Sequence, residues 1–424
     1  MEFLLPYGKE HIACSLPDTR IAGILRGSGE AKPEKPGWDL VADAMAAPYG
    51  GKTLKELAAG KQHIVLIASD HTRPVPSKLI VPQMLREIRE GNPEATITIL
   101  IATGCHRETT AAELTDKFGA DLVANERIVI HDCEDAANLV TLGTLPSGGS
   151  LQINRLAAEA DLLVAEGFIE PHFFAGFSGG RKSVLPGIAS RVCVHYNHNS
   201  AFMDDPKART GILEGNPIHR DMLYAAQTAK LAYIVNVVLN AEGQVVAAFA
   251  GDPTEAHAAG TAFVSARMGC KAIPADIVIT TNNGYPLDQN AYQMVKGMTA
   301  GEATCRDGGV IIAVGKCNDG IGGDSFLKLF RECDSIPALL RRFRETPAEE
   351  TLTDQWQAHI FARILEHYTV IFVSELSDDL VRDLHMIPAK SVEEALTLAD
   401  SVLKRNDASI TVIPEGISVI VLPD

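Results

Sequence analysis

The chain has 424 residues, 46% apolar and 22% charged, and a formal net charge of -16. A single core stops growing at about 250 to 300 residues, so two domains are expected, and the acidic balance with scattered Lys and Arg excludes a nucleic-acid footprint or an anionic-membrane patch. No apolar run approaches the roughly 18 residues of a spanning helix, and the N-terminus MEFLLPYGKEH has no basic leader, so a cytoplasmic protein is expected.

In chain order, HIVLIAS (63–69) opens a series of short Val- and Ile-rich runs that continues with TITILIAT (96–103), DLLVAE (161–166) and YIVNVVLN (233–240). Their length and composition predict parallel strands. Between them, SKLIVPQMLREIRE (77–90) and TEAHAAGTAFVSARM (254–268) read as helices, the second with apolar residues near a 3.6 spacing. After GCKAIP (269–274) the alternation restarts with ADIVITT (275–281), GGVIIAVG (308–315) and YTVIFVS (368–374). The expectation is an α/β protein: two α/β domains, residues 1–270 and 271–405, with mainly parallel sheets and a ligand cleft between them. The tail, 406–424, carries two strand-like runs around a Pro-Glu-Gly turn and is free to return to the first domain. Eight cysteines without a C-x-x-C pair argue against a zinc knuckle or a disulfide framework.

The chemically loaded segments follow predicted strands, where α/β proteins place ligands. SDHTRPVPSK (69–78) holds Asp70 and Arg73 in a Pro-punctuated loop. Arg73 suits a carboxylate or phosphate, although an Asp-Arg pair tying down the loop would look the same. TGCHRE (103–108) places His106 early in a loop or helix start, able to titrate near neutrality. GFSGGRKS (176–183) nearly spells a P-loop, but Arg181 stands where the second glycine belongs, so an ATP-hydrolysing loop is rejected. What survives is a glycine nest of Gly176, Gly179 and Gly180 with Arg181, Lys182 and Ser183, suited to one phosphate. In VCVHYNHNS (192–200), His195 and His198 are three apart, and at most one is expected to hold a metal. In NGYPLDQNAYQMVKGMTAGE (283–302), a helix capped near Asp288 or Asn290 would point Tyr292, Gln293 and Lys296 at one place.

Taken together, SDHTRP, TGCHRE, EGFIEPHFFAGFSGGRKSVLPG, YNHN, LEGNPIH (213–219) and DQNAYQMVKG resemble, in order and over almost the whole chain, the nickel-dependent lactate racemase family. The resemblance implies a nickel-pincer nucleotide, a pyridinium mononucleotide carrying two sulfur arms and nickel, joined through a thioamide to Lys182, with His198 as the protein ligand to nickel. It further implies that His106 and His172 alternate as acid and base while a hydride moves reversibly through a 2-oxo acid. By the same likeness Arg73, Tyr292, Gln293 and Lys296 hold substrate, Asp70 supports them, Trp356 touches the cofactor, and the glycine nest takes its phosphate.

Phe174, two residues after His172, falls at the expected pocket wall and leaves room for 2-hydroxy acids other than lactate. The implied activity is therefore a racemase or epimerase of small 2-hydroxy acids, an isomerase that depends on separate cofactor-synthesis enzymes. The rivals are a nucleotide-using dehydrogenase or kinase-like protein, which would need G-x-G-x-x-G after a strand or a complete P-loop, and a nickel-binding or delivery protein without turnover. The latter needs neither a covalently loaded Lys182 nor two histidines besides His198.

Overall fold

The computed structural model describes residues 1–27 and 32–422. The chain forms two compact units, each a layered α/β structure.

One unit comprises Glu30–His198 and Ile212–Ser265. Its six-stranded sheet runs Val245–Gly251, Leu231–Leu239, Leu162–Phe168, His63–Ser69, Thr96–Ala102, Arg127–Ile130. Every pair is parallel except the first, where Leu231–Leu239 and Val245–Gly251 form an antiparallel ribbon. Leu162–Phe168 is buried at all seven positions, as a central strand covered on both faces must be. Helix Ser77–Gly91 buries Ile80, Val81, Met84, Leu85 and Ile88 against this sheet, the 3.6 spacing read from the sequence. From His63–Ser69 the chain winds outward through Thr96–Ala102 to Arg127–Ile130, then returns to the opposite side of His63–Ser69 with Leu162–Phe168. This reversal makes the carboxyl ends of His63–Ser69 and Leu162–Phe168 a topological switch point, where the flanking connections diverge and leave a crevice.

The other unit comprises Met1–Gly29, Asn199–Gly211 and Ala266–Asp424. Its sheet is parallel throughout, in the order Ile387–Ala389, Thr369–Val373, Cys305–Val314, Ala275–Thr281, Ile410–Ile413, Ile21–Ile24. Here the order reverses between Ala275–Thr281 and Ile410–Ile413, so the loop and helix after Ala275–Thr281 stand at this unit's own switch point.

This division departs from the expected domains. Residues 1–29 and 199–211 group with the second unit, and so does the tail, because Ile410–Ile413 pairs with Ala275–Thr281 on one side and Ile21–Ile24 on the other. Residues 423–424 of the tail lie outside the described residues. Strand runs are written locally, whereas the sheet a strand joins depends on pairing across nearly the whole chain. Among the described residues no helix is long and apolar enough to cross a membrane.

Candidate functional site

At the first switch point, Asp70 follows His63–Ser69 directly. Ser69, just before it, is fixed by the buried Glu166 of the neighbouring strand, whose Oε1 accepts from Ser69 N at 2.7 Å, Ser69 Oγ at 2.6 Å and Ser77 Oγ at 3.1 Å. Asp70 is 1% exposed, and its Oδ2 lies 2.8 Å from His106 Nδ1 while Oδ1 accepts from Thr72 Oγ1 at 2.7 Å. Burial pushes the Asp70 pKa up, but the hydrogen bond and charge of His106, aided by Thr72, outweigh it and hold the carboxyl below its ordinary value. The carboxylate thus accepts from Nδ1–H of His106, so the neutral ring carries its lone pair on Nε2. Arg73 is exposed, and the ion-pair partner of Asp70 is His106. His106 itself sits in the loop, since the following helix, Ala111–Phe118, begins only at the Thr110–Glu113 capping box.

The chain leaving Leu162–Phe168 supplies the second group. His172 lies in a two-residue strand paired with Gly176–Phe177, and its Nδ1 accepts the Ala175 N–H at 3.3 Å. Phe174 is buried between two histidines: its ring stands edge-on to His172 at 4.4 Å and to His198 at 5.1 Å between centroids. Lys182 Nζ lies 5.8 Å from the centroid of the same Phe174 ring. His198 caps the C-terminus of helix Arg191–Asn197 and is 5% exposed. Its Nδ1–H donates to Val194 O at 2.9 Å, which leaves Nε2 as the basic nitrogen. Burial, with the Lys182 charge adding to it, pushes its pKa down to about 3. His195 is one turn back on the same helix, half-buried.

Lys182 is presented by a 3-10 turn, Gly180–Ser183, which also carries Ser183. Gly176 and Gly179 adopt φ +78° and +80°, and a Cβ at Gly179 would meet Phe168 O and Asn236 Oδ1 at 2.7 Å. The Gly180 N–H, expected to face a phosphate, donates instead to Asn236 Oδ1 at 2.8 Å. Arg181 turns inward, 3% exposed, and donates to Ala175 O at 2.7 Å, Gly179 O at 3.2 Å and His219 Nδ1 at 3.0 Å. Burial alone lowers its pKa, to about 9. It borders a cavity of about 300 Å³ lined by His219, His257 and Leu223 among others. The loop is thus pinned from within by Arg181 and Asn236, a role that the sequence did not signal because neither residue belongs to a recognisable pattern for it.

In the second unit, Asn290 caps helix Ala291–Glu302 by accepting the Gln293 N–H at 3.0 Å. Asp288, the other candidate cap, is fully buried and accepts from the backbone of Gly8 at 2.6 Å and Lys316 at 3.0 Å. Tyr292, Gln293 and Lys296 share the half-buried face of the helix, while Met294, Val295 and Met298 face the core. Tyr292 Oη donates to Asp354 Oδ1 at 3.2 Å, and burial followed by the Asp354 charge pushes its pKa up. Trp356 hydrogen-bonds Tyr292 through its side chain. These four residues therefore form one local group.

Among the described residues no three His, Cys, Asp or Glu side chains converge as a metal site, so a metal beside His198 would take one protein imidazole and draw its other donors from elsewhere. The neutral, orientationally fixed His198 next to a primary amine and a flat aromatic ring fits a planar metal-bearing group joined to Lys182.

The family model of the lactate racemase N-terminal domain matches residues 7–211, and that of the lactate racemase C-terminal domain matches residues 270–421. The chain is 55% identical over 419 residues to the lactate racemase of Thermoanaerobacterium thermosaccharolyticum, covering 98% of each, and 51% identical to that of Lactiplantibacillus plantarum, covering 98% of this chain and 99% of the relative. Its fold superposes on the lactate racemase apoprotein structure from T. thermosaccharolyticum with a TM-score of 0.96, at 54% identity and over 100% of both chains. A Thermotoga maritima protein, 22% identical, shares the fold with a TM-score of 0.61 over 88% of this chain and 97% of that one.

Proposed function

The chain belongs to the lactate racemase family, and we propose that it interconverts the enantiomers of lactate, with His106 and His172 as acid and base and Lys182 and His198 as the holders of a nickel-pincer nucleotide. The observation that carries this reading is the gathering of His172, Lys182 and His198 around the buried Phe174 ring. The cofactor, when bound, supplies a hydride acceptor for the substrate α-carbon.

The two histidines are prepared for opposite tasks. Asp70 holds the His106 proton on Nδ1, so Nε2 can accept the proton of a substrate hydroxyl and the carboxylate stabilises the imidazolium that results. His172 accepts a backbone N–H on Nδ1, so its neutral ring carries the proton on Nε2 and can donate it. Serving both enantiomers requires the pair to exchange these tasks in the reverse direction. Asp70 is a positioning residue here, acting on substrate only through His106.

Gly176, Gly179 and Gly180 serve by letting the loop turn tightly enough to present Lys182 and Ser183. Arg73, an exposed guanidinium in the Asp70 loop, suits the substrate carboxylate. Substrate contact by Tyr292, Gln293 and Lys296, and cofactor contact by Trp356, rest on their family motifs. Phe174, wedged between His172 and His198, sets the wall against the substrate side chain.

The test is to produce the protein alongside cofactor-synthesis enzymes and measure intact mass, nickel content and inversion of each lactate enantiomer. A mass adduct absent from Lys182→Ala, nickel absent from His198→Ala, and inversion of lactate are the expected results. Full loading with no inversion of lactate or of any other small 2-hydroxy acid would keep the cofactor site and overturn the reaction.

A further inference from the structure

Cys105 and Cys133 stand one residue and one loop away from His106, and nothing in the acid-base chemistry uses them. Their placement follows from the sheet. Thr96–Ala102 and Arg127–Ile130 are adjacent parallel strands, with Ile101 opposite Ile130. Beyond the strand ends, His131 N–H donates to Ile101 O at 3.1 Å and Thr103 Oγ1 donates to His131 O at 2.6 Å, which keeps the two exiting segments in register. Two residues past each member of the Thr103–His131 pair comes a cysteine. The far side of Cys133 is fixed as well, because its carbonyl accepts the Arg191 N–H at 3.0 Å. The Cys105 side chain is hydrogen-bonded to that of Cys133.

Chemically this pair differs from the remaining cysteines. All eight are free, and burial raises the pKa of Cys14, Cys193, Cys270, Cys305, Cys317 and Cys333. Cys133 alone is lowered: the hydrogen bond from Cys105 favours its thiolate first, burial opposes, and the Arg191 charge assists. Cys105 is half-buried, so its side of the pair is open to a small reagent. A thiolate with a thiol in direct contact is the arrangement in which an attacking sulfur has its resolving partner in place.

We propose that Cys105 and Cys133 form a reversible oxidation site, in which a hydroperoxide converts the pair to a disulfide that displaces His106 from Asp70. In the first step the Cys133 sulfur attacks the peroxide: an S–O bond forms, the O–O bond breaks, and the departing oxygen takes a proton to leave as an alcohol, or as water from hydrogen peroxide. In the second, the Cys105 sulfur attacks the resulting sulfenic acid, the S–S bond forms, the S–O bond breaks, and the Cys105 proton leaves with the hydroxide as water. The two sulfurs together supply the two electrons that reduce the peroxide, and an external dithiol returns them.

The coupling to His106 is geometric. Disulfide formation shortens the sulfur separation from hydrogen-bond distance to about 2.05 Å. Cys105 lies between Gly104, whose N–H is held by Gly187 O at 2.9 Å, and His106, whose N–H is held by Thr103 O at 2.9 Å. With the Gly104 side anchored to a different segment, movement of Cys105 passes to His106 and its 2.8 Å contact with Asp70. Misplacing a catalytic group by about 1 Å costs on the order of 100-fold in rate. The oxidation site stands independently of the catalytic assignment; the effect on turnover rests on the reading of His106 as acid-base.

The experiment treats cofactor-loaded protein with hydrogen peroxide near one equivalent and follows peptide masses, thiol content and lactate racemisation together. The expected result is a Cys105–Cys133 cross-linked peptide, loss of two thiols, a fall in turnover of about 100-fold and recovery of both with dithiothreitol. Cys133→Ala should keep its activity under the same treatment. Oxidation of other cysteines ahead of this pair, or sulfinic acid without the cross-link, overturns the site. Equal inactivation of Cys133→Ala would place the damage on the cofactor and overturn the switch. If the cross-link forms while turnover is unchanged, His106→Ala separates the two readings: an inert variant leaves the catalytic assignment standing and refutes only the coupling, whereas an active one refutes the assignment.

Discussion

On the proposed reading, the 2.8 Å contact between Asp70 Oδ2 and His106 Nδ1 decides which ring nitrogen faces the substrate, and an amide at position 70 can present a donor there instead. Asp70→Asn should then favour the wrong tautomer and lower kcat by about 10²- to 10⁴-fold, with KM and the covalent adduct at Lys182 close to those of the parent. A kcat within about threefold of the parent would remove Asp70 from the orienting role. Phe174 supports a second prediction at this scale. Its ring contacts both His172 and His198, so Phe174→Leu opens space between them and should raise kcat/KM for 2-hydroxy acids with larger side chains relative to lactate, by about 10-fold per methylene-sized change. Unchanged ratios across a series of side-chain sizes would show that another residue forms the wall.

Asn216 shows how a single element positions the site. It caps helix Pro217–Thr228 by accepting from Ile218 N and His219 N, with proline at the first helical position, and its own amide donates to Phe174 O at 2.8 Å and Ile212 O at 3.0 Å. The helix start and the Phe174 loop are therefore tied to one fully buried amide. Asn216→Ala removes the cap and leaves two carbonyls without their donor, which together should cost about 2 to 4 kcal/mol. Urea unfolding of the purified variant measures this, and a midpoint indistinguishable from the parent would show that water replaces the amide without loss. By contrast, Thr110→Ala at the capping box of Ala111–Phe118 should cost only about 1 kcal/mol, because that cap is exposed.

Across the whole molecule the buried histidines set the response to acid. Burial lowers the pKa of His131, His198, His219, His257 and His359, to about 4 for His219 and about 3 for His198 and His257. In the unfolded chain a histidine titrates near 6.5, so between that value and the native one the unfolded state binds the extra proton. The contribution of each is complete above about pH 6.5 and is lost as pH falls, at up to about 1.4 kcal/mol per pH unit for each proton taken up. Asp70, whose native pKa is depressed, adds a loss in the same direction below about pH 4. Urea midpoints recorded on the apo protein from about pH 7.5 down to pH 5 should fall steadily. Midpoints that hold constant or rise over that interval would mean that these rings are solvated and already protonated in the native state.

What the amino-acid order determined by itself is everything that is local or carried by an unbroken run. The strands HIVLIAS and ADIVITT and the helix at 77–90 could be read because periodicity lies within a few residues, whereas the roles of His106, His172, Lys182 and His198 are implied only by the likeness of their motifs to the lactate racemase family. The tertiary structure alone decided the rest. Which sheet Ile21–Ile24 and Ile410–Ile413 join depends on pairing across nearly 400 residues. The orientation of His106 depends on a carboxylate 36 residues earlier, and that of His198 on a carbonyl one helical turn away. Arg181 read as a candidate anion donor, yet it turns inward because Ala175, Gly179 and His219 offer acceptors there. Gly180 read as an open amide, yet Asn236 had already taken its hydrogen bond. Burial, ring tautomer and hydrogen-bond occupancy are properties of neighbours in space, and only folding assigns those neighbours.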